Sequence, residues 1–320
     1  MNDSSQPLVH IVVVTYDGKR FLEDCLGSLL TTDYEAFRLF LVDNGSSDGS
    51  GEFAVRRFPD ATVLRQDPNR GYAGGANVGL KRALADGAKY VALLNDDTAV
   101  LDRRWLTVGV TRMQSDPQVG VVGFTMASSM NAPRPEHVEV HPVDYLPGFA
   151  LLLRTDMLRD IGIFDEVYGV YSDEDDFEAR ACAAGYRLVR ADTPIFHHGS
   201  GTNGKYSRSS GFLQMRNSLR HKLKNRGLFS ACMRALRIVD VACSPYPLSM
   251  DRADEGHLRM RNSGNIAVNA WLLAKAVGWN LRHWPETRRI RQEDYGRVEQ
   301  ARTRLRRRLA NCSTAEAVIV

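Results

Sequence analysis

The sequence predicts an α/β protein: an open, largely parallel sheet flanked by helices, followed by a helical, basic C-terminal region. Three observations carry this. In the N-terminal part of the chain, short apolar β-branched runs alternate with segments of helical period. Turn-forming residues stand at the C-terminal end of the strand-like runs. Charge then divides the chain, because residues 206–320 hold 22 Lys/Arg against 9 Asp/Glu, about +13, while the whole chain carries +4 and residues 1–205 about −9.

Taken in order, Val9–Tyr16 is too short and too apolar for most helices and ends at Asp17-Gly18, so it reads as a buried strand and turn. Phe21, Leu22, Cys25, Leu26, Leu29 and Leu30 then fall on one helical face. Phe37–Val42 is strand-like and stops at Asp43-Asn44-Gly45-Ser46, completing a β-α-β unit. Ala61–Leu64, a helical segment around Ala76–Ala85 and a buried run at Tyr90–Leu94 continue the alternation, and Leu151–Leu153 reads as a further strand. Beyond residue 205 the pattern is helical, with Phe212, Met215, Leu219, Leu223 and Leu228 interleaved with Arg216, Arg220, Lys222 and Lys224. The Arg-rich stretch 286–310 reads as a solvated helix or a mobile tail. The expected division is therefore a sheet domain over 1–205 and a mainly helical basic region over 206–320.

Bulk composition, 43% hydrophobic and 25% charged, is that of a globular chain able to bury a core. Five cysteines without CxxC pairing suggest neither a zinc knuckle nor a disulfide framework. Met1–Gln6 lacks a signal-like apolar region, and no run of 18 apolar residues occurs. The expectation is a cytoplasmic protein.

In sheets of this kind ligands bind outside the carboxyl ends of strands, where Asp17, Asp43 and Asn95-Asp96-Asp97 all fall. Carboxylates in such a turn can hold a hard divalent ion that bridges a diphosphate, and Mg²⁺ or Mn²⁺ suits oxygen ligands better than zinc. Helix capping by Asp96 or Asp97 is the structural alternative. The glycine-rich run Gly71–Asn77 matches neither the Walker A pattern nor a full GxGxxG, which argues against an ATPase or a dehydrogenase.

Four stretches follow one another: Thr15-Tyr16-Asp17; Val42-Asp43-Asn44-Gly45-Ser46-Ser47-Asp48-Gly49-Ser50; Asn69-Arg70-Gly71-Tyr72-Ala73-Gly74-Gly75-Ala76-Asn77; and Asn95-Asp96-Asp97. After them come Gly162-Ile163-Phe164-Asp165-Glu166, Asp173-Glu174-Asp175-Asp176-Phe177, Arg180, Ala184-Gly185-Tyr186 and His197-His198-Gly199. This ordered set, over roughly residues 8–205, resembles the inverting glycosyltransferase family 2 and its rhamnosyltransferase-like members. The resemblance implies a GT-A fold with a single Rossmann-like open mixed sheet, and a divalent metal, Mg²⁺ or Mn²⁺. It implies a UDP-, dTDP- or GDP-sugar as donor. Thr15, Tyr16, Asp17 and Asp43 would line base and ribose, while Arg70 and Asn77 would help seat the donor. Asn95 and Asp96 would face the donor and Asp97 the metal, with His197, ahead of His198, as a further metal or diphosphate contact. The general base would come from Asp173, Glu174 or Asp175. Alignment on Arg180 and Ala184-Gly185-Tyr186 favours Glu174, and a one-residue slip favours Asp175. Pro147-Gly148-Phe149-Ala150 would border the acceptor pocket, and the loop from Gly199 to Gly204 would close over the diphosphate.

The acceptor stays unnamed among lipid-linked glycans, cell-wall polymers and small natural products. The basic region could pack on the catalytic unit, form a homo-oligomer, or lie on the anionic inner face of a membrane. Val268–Leu281 contains Lys275 and is too short to span. The rival readings are a nucleotidyltransferase, for which Gly18-Lys19-Arg20 is a poor phosphate loop, and a basic nucleic-acid-binding protein suggested by the C-terminal arginines; no nucleic-acid partner is expected.

Overall fold

A computed structural model of the chain describes residues 6–199, 207–243 and 265–317. Strand β1 (Val9–Thr15) is buried along its whole length. Its side chains alternate between two cores: Val9, Ile11 and Val13 join one, Val12 and Val14 the other. A strand covered on both faces has no reason to alternate apolar with polar residues, which is why it reads as a continuous apolar run. Each fully buried Val or Leu contributes roughly 1.5–3 kcal/mol.

Helix α1 (Lys19–Leu29) buries Leu22, Cys25, Leu26 and Leu29 against the first core, and Phe21 against His198. Then follow β2 (Phe37–Asp43), α2 (Ser50–Arg57), β3 (Thr62–Arg65), α3 (Gly71–Ala85), β4 (Tyr90–Asn95), β5 (Thr98–Val100) and α4 (Trp105–Ser115). The next elements are β6 (Val119–Ala127), β7 (Val140–Val143), β8 (Ala150–Arg154), α5 (Thr155–Ile161), α6 (Asp173–Ala183) and β9 (Arg187–His197). The sheet order is β3-β2-β1-β4-β8-β6-β9-β5, with β7 pairing β9 off this path.

The first half, β3-β2-β1-β4, is parallel as expected. The second half departs from the largely parallel sheet read from the alternation and gives the mixed sheet that the resemblance implies: β8 runs antiparallel to both β4 and β6, β5 and β7 run antiparallel to β9, and β6 and β9 are parallel. Parallel neighbours need a long crossover, usually a helix, and no helix separates β6 from β8, so the chain returns antiparallel. The sheet is mixed.

Helix α3 starts at Gly71, so the glycine-rich run is its first two turns rather than a loop. A Cβ at Gly75 would come within 2.8 Å of Val14 Cγ1, and one at Gly79 would strike Val12. Small residues there let α3 lie close on β1.

The C-terminal region is helical as expected: α7 (Arg208–Asn225), α8 (Leu228–Cys243), α9 (Ile266–Arg282) and α10 (Trp284–Ala317). Met215, Leu219, Ile238, Leu272, Leu273 and Ala276 form a small core of their own. Helix α10 corrects the reading of 286–310 as solvated or mobile, because Val298, Ala301 and Leu305 join the second core. Arg304 and Arg308 of the same helix reach Asp160 of α5, at 2.7 and 3.0 Å. Among the described residues, no helix is long and apolar enough to cross a membrane.

Candidate active site

The carboxyl ends of β1 and β4 meet the turn Asp96-Asp97, which leads straight into β5. Neither aspartate caps a helix. Thr15 Oγ1 donates to Asp96 Oδ2 at 2.6 Å, fixing the Asp96 carboxylate over the end of β1. Burial, reinforced by the Asp97 charge, pushes the Asp96 carboxyl up to about 6 despite that hydrogen bond. Gly18 is required beside it, since a Cβ there would collide with the Asp96 carboxylate.

Pairing of β5 with the end of β9 aligns Thr98 with His197 and brings the histidine to the neighbouring aspartate. His197 Nε2 lies 3.0 Å from Asp97 Oδ1, and Asp97 is only 4% exposed. The imidazole stacks on Phe149, with centroids 5.3 Å apart and planes at 15°. His198 takes the other side: it packs against Phe21 and Phe196, and its Nε2 is 4.0 Å from Asp24. Successive residues on an extended segment point to opposite faces, so only one of the two histidines can accompany Asp97. That one is His197, the histidine that the resemblance places ahead of His198, and His198 does not join it.

These groups open onto a cavity of about 670 Å³, lined by Thr15, Tyr16, Asn95, Asp96, Asp97 and His197 on one side. Tyr72, Tyr145, Gly148 and Phe149 line it too, with Asp173 and Glu174 at the start of α6. Tyr171 and Ser172, at φ 71° and 59°, are two successive non-glycine residues in the left-handed region, each costing roughly 1–3 kcal/mol. They set the phase at which α6 begins. Asp173 is buried, and burial pushes its carboxyl up to about 7. Glu174 is half-buried, and desolvation together with the charges of Asp173 and Asp175 pushes it well above the carboxylate range. A carboxyl raised in this way is a better proton acceptor once ionised.

Asp175 does not line this cavity but a second one on the other side of α6. Asp176 is fully buried and bonded by Arg180, Lys224, Asn225 and Tyr168. Burial opposes its ionisation, but the Lys224 and Arg180 cations prevail and hold its carboxyl well below the usual range.

Four other expected donor contacts are not at the cavity wall. Asp17, at φ 52°, accepts from Ser47 N and Asp48 N through Oδ1 and organises the loop after β2. Asp43 is completely buried; Oδ1 accepts from Ser46 N at 2.9 Å, and Oδ2 has no hydrogen-bond partner among the described residues. Arg70 pairs with Glu166 at 2.6 Å. Asn77 is committed to the segment before α6: its amide donates to Phe164 O and Glu166 Oε1, and Oδ1 accepts from Phe164 N. Both of its amide donors are used in stapling that segment to α3. The expected closing loop lies outside the described residues from Ser200 onward.

Sequence reasoning missed Tyr145, Tyr171, Asn44 and Asn69 as cavity residues. Tyr145 sits in an irregular segment with no periodicity to betray it. Asn44 was legible only as a turn residue, yet its amide donates to Gly71 O at 2.9 Å and Asn69 Oδ1 at 3.2 Å, tying two rim loops together. A further set of ligand atoms, on Glu139, His141 and Asp192, lies within 4.8 Å of one another where β7 meets β9, and none of these residues lines the cavity.

Solved structures share this architecture. The mannosyltransferase PcManGT from Pyrobaculum calidifontis, in complex with GDP-Man and Mn²⁺, superposes with a TM-score of 0.54 at 16% identity, covering 94% of this chain and 88% of its own. S. aureus TarS 1–349 in complex with UDP-GlcNAc gives 0.56 at 16% identity, over 92% and 90% of the two chains. The fold is GT-A, and the class is glycosyltransferase. Residues 10–171 match the model of glycosyl transferase family 2, and the chain belongs to that family. N-acetylglucosaminyl-diphospho-decaprenol L-rhamnosyltransferase of Mycobacterium tuberculosis is 28% identical over 239 residues, 61% of this chain and 77% of the relative. Glycosyltransferase AglE of Haloferax volcanii is 25% identical over 214 residues, 61% of this chain and 68% of the relative. Family membership sets aside the nucleotidyltransferase and nucleic-acid-binding readings.

Proposed function

We propose that the protein moves a sugar from a nucleotide diphosphate donor to an acceptor hydroxyl, by a metal-dependent single displacement that inverts the anomeric centre. The observation that carries this reading is one cavity holding the Asp97–His197 pair on one wall and the raised carboxyls of Asp173 and Glu174 on another.

A buried carboxylate oxygen beside an imidazole nitrogen, with open space in front, fits Mg²⁺ or Mn²⁺, which take oxygen and nitrogen donors and leave positions for phosphate oxygens and water. Asp97 would hold such an ion, with His197 as a further ligand or a diphosphate contact. When bound, the ion supplies charge neutralisation for the departing diphosphate. Asp96, pinned by Thr15, and Asn95 orient the donor's ribose or sugar. The orphaned Asp43 Oδ2 is a buried acceptor suited to a base N–H and lies beside Asn44, which lines the cavity. Glu174 takes the acceptor proton on its carboxylate, and burial of the neighbouring groups excludes water from the attack. The choice of Glu174 over Asp175 rests on which cavity each side chain lines.

The mycobacterial relative is named for a diphospho-decaprenol acceptor, which supports a lipid-linked acceptor here and a working position at the cytoplasmic face of a membrane. Thermal-shift measurements with UDP-, dTDP- and GDP-sugars, with and without Mn²⁺ or Mg²⁺, test the reading. One nucleotide class raises the melting temperature only with metal, and Asp97→Ala abolishes the rise. Stabilisation that ignores both metal and Asp97 overturns the metal-dependent donor site.

A further inference from the structure

A second cavity, also about 670 Å³, lies across α6 from the first and shares Tyr145 with it. Helices α7, α8 and α10 of the basic region supply much of its wall, and six basic side chains line it: Arg180 and Lys224, both paired with the buried Asp176, and Lys222, Arg226, Arg234 and Arg291. Four carboxyls also border it, but they do not cancel this charge. Asp294 is occupied by Lys224 at 2.9 Å, and burial pushes Glu178 well above the carboxylate range, so it is neutral over more of the pH scale. Asp144 and Asp175 are the other two acidic neighbours, so basic side chains outnumber acidic ones along this wall. Glu178 is 4% exposed and leaves Oε1 without a hydrogen-bond partner among the described residues. A cation-rich cavity that shares Tyr145 with the first is suited to a phosphorylated ligand.

Helix α8 adds an independent observation. Its inner face buries Ala231, Arg234 and Ile238, whereas Phe229, Met233 and Leu236, spaced i, i+4, i+7, form an apolar face turned outward. Phe229 is 79% exposed and Leu236 62%. Arg226 precedes this face and Arg237 lies beside it, which gives the mix of apolar and cationic side chains that suits an anionic lipid surface.

We propose that the second cavity takes the diphosphate of a lipid-linked acceptor, whose hydrocarbon chain leaves along the apolar face of α8 at the membrane surface. The assignment rests on the glycosyl-transfer reading above. It places the acceptor's anionic group on the far side of α6 and its sugar at Glu174, with Tyr145 at the junction.

Calorimetric titration tests it, using inorganic pyrophosphate and farnesyl diphosphate as probes, with EDTA present so that no metal recruits them to the donor cavity. Both probes bind the wild type. The Lys222→Ala/Arg226→Ala double variant raises both Kd values at least about tenfold, as loss of charge-assisted hydrogen bonds should, while Asp97→Ala leaves them unchanged. Phe229→Ser/Leu236→Ser weakens farnesyl diphosphate alone. Arg226→Gln, at an exposed position, repeats the test with a minimal change should the double variant melt early. Absence of binding, or Kd values indifferent to Lys222 and Arg226, overturns the site. Equal binding of both probes by wild type and by Phe229→Ser/Leu236→Ser overturns the lipid-borne source in favour of a free diphosphate. Nucleotide-sugar binding with Mn²⁺, measured on the same proteins, is the separate control: its failure in the wild type removes the donor reading while the diphosphate result stands.

Discussion

Glu174 and Asp175 are adjacent in sequence, yet about 100° of helical rotation separates them, so one faces the donor cavity and the other the cationic cavity. Glu174→Gln should therefore lower kcat by at least about 10²-fold, the usual contribution of a positioned general base, and Asp175→Asn should lower it far less. The same substitution should stabilise the fold at high pH. The folded-state carboxyl of Glu174 is raised above its unfolded value, so its favourable contribution is present at low pH and is lost as pH rises through the folded-state value. Melting curves at pH 5 and pH 8 should show the gain from Glu174→Gln growing toward pH 8. At this scale the sequence was legible as an acidic cluster and ambiguous within it. The phase of α6 is set by left-handed Tyr171 and Ser172, and neither residue type announces that conformation.

Among the elements, β1 and β4 could be read directly because burial on both faces leaves an unmistakable apolar run, and the helix after β1 because its one buried face keeps helical spacing. The pairing of β5 with β9 could not, although it is what carries His197 to Asp97 across a gap of 100 positions. A three-residue strand has too little pattern to detect, and partner choice is a tertiary matter. Arg70 and Asn77, which the resemblance places at the donor, both bond Glu166 in the structure, a partner 89 or more positions away that local sequence does not announce. Helix α7 is fixed by a buried cluster in which Lys224 Nζ lies 2.9 Å from Asp176, 3.1 Å from Asp165 and 2.9 Å from Asp294. Lys224→Ala leaves those carboxylates without their shared cation and should cost about 3–5 kcal/mol in urea unfolding.

Across the whole molecule, acid sensitivity follows from the same cluster. Asp176 has a folded-state value held below its unfolded one, so its contribution to stability is complete above about pH 4 and is lost as pH falls through the folded-state value. Urea midpoints should drop as the medium is acidified below about pH 4, and Asp176→Asn should flatten that dependence while lowering stability at neutral pH. The charge asymmetry of the sequence marks the stretch after residue 205 as basic, and its described part is helical. It did not foretell that Arg220 and Lys224, both buried, would reach back to Asp165 and Asp176. Charge counting sees a surplus of arginine and lysine, but not which of them are neutralised in the interior. These contacts also bear on ancestry. A recombination event that replaced the helices after residue 205 would take Lys224 and Arg220 from Asp165 and Lys224 from Asp176, and one that replaced the acidic helix would take Asp176 from Lys224, so the two stretches should be inherited together. New acceptor preferences in descendants of this chain should then arise by point substitution around the second cavity rather than by exchange of whole C-terminal segments.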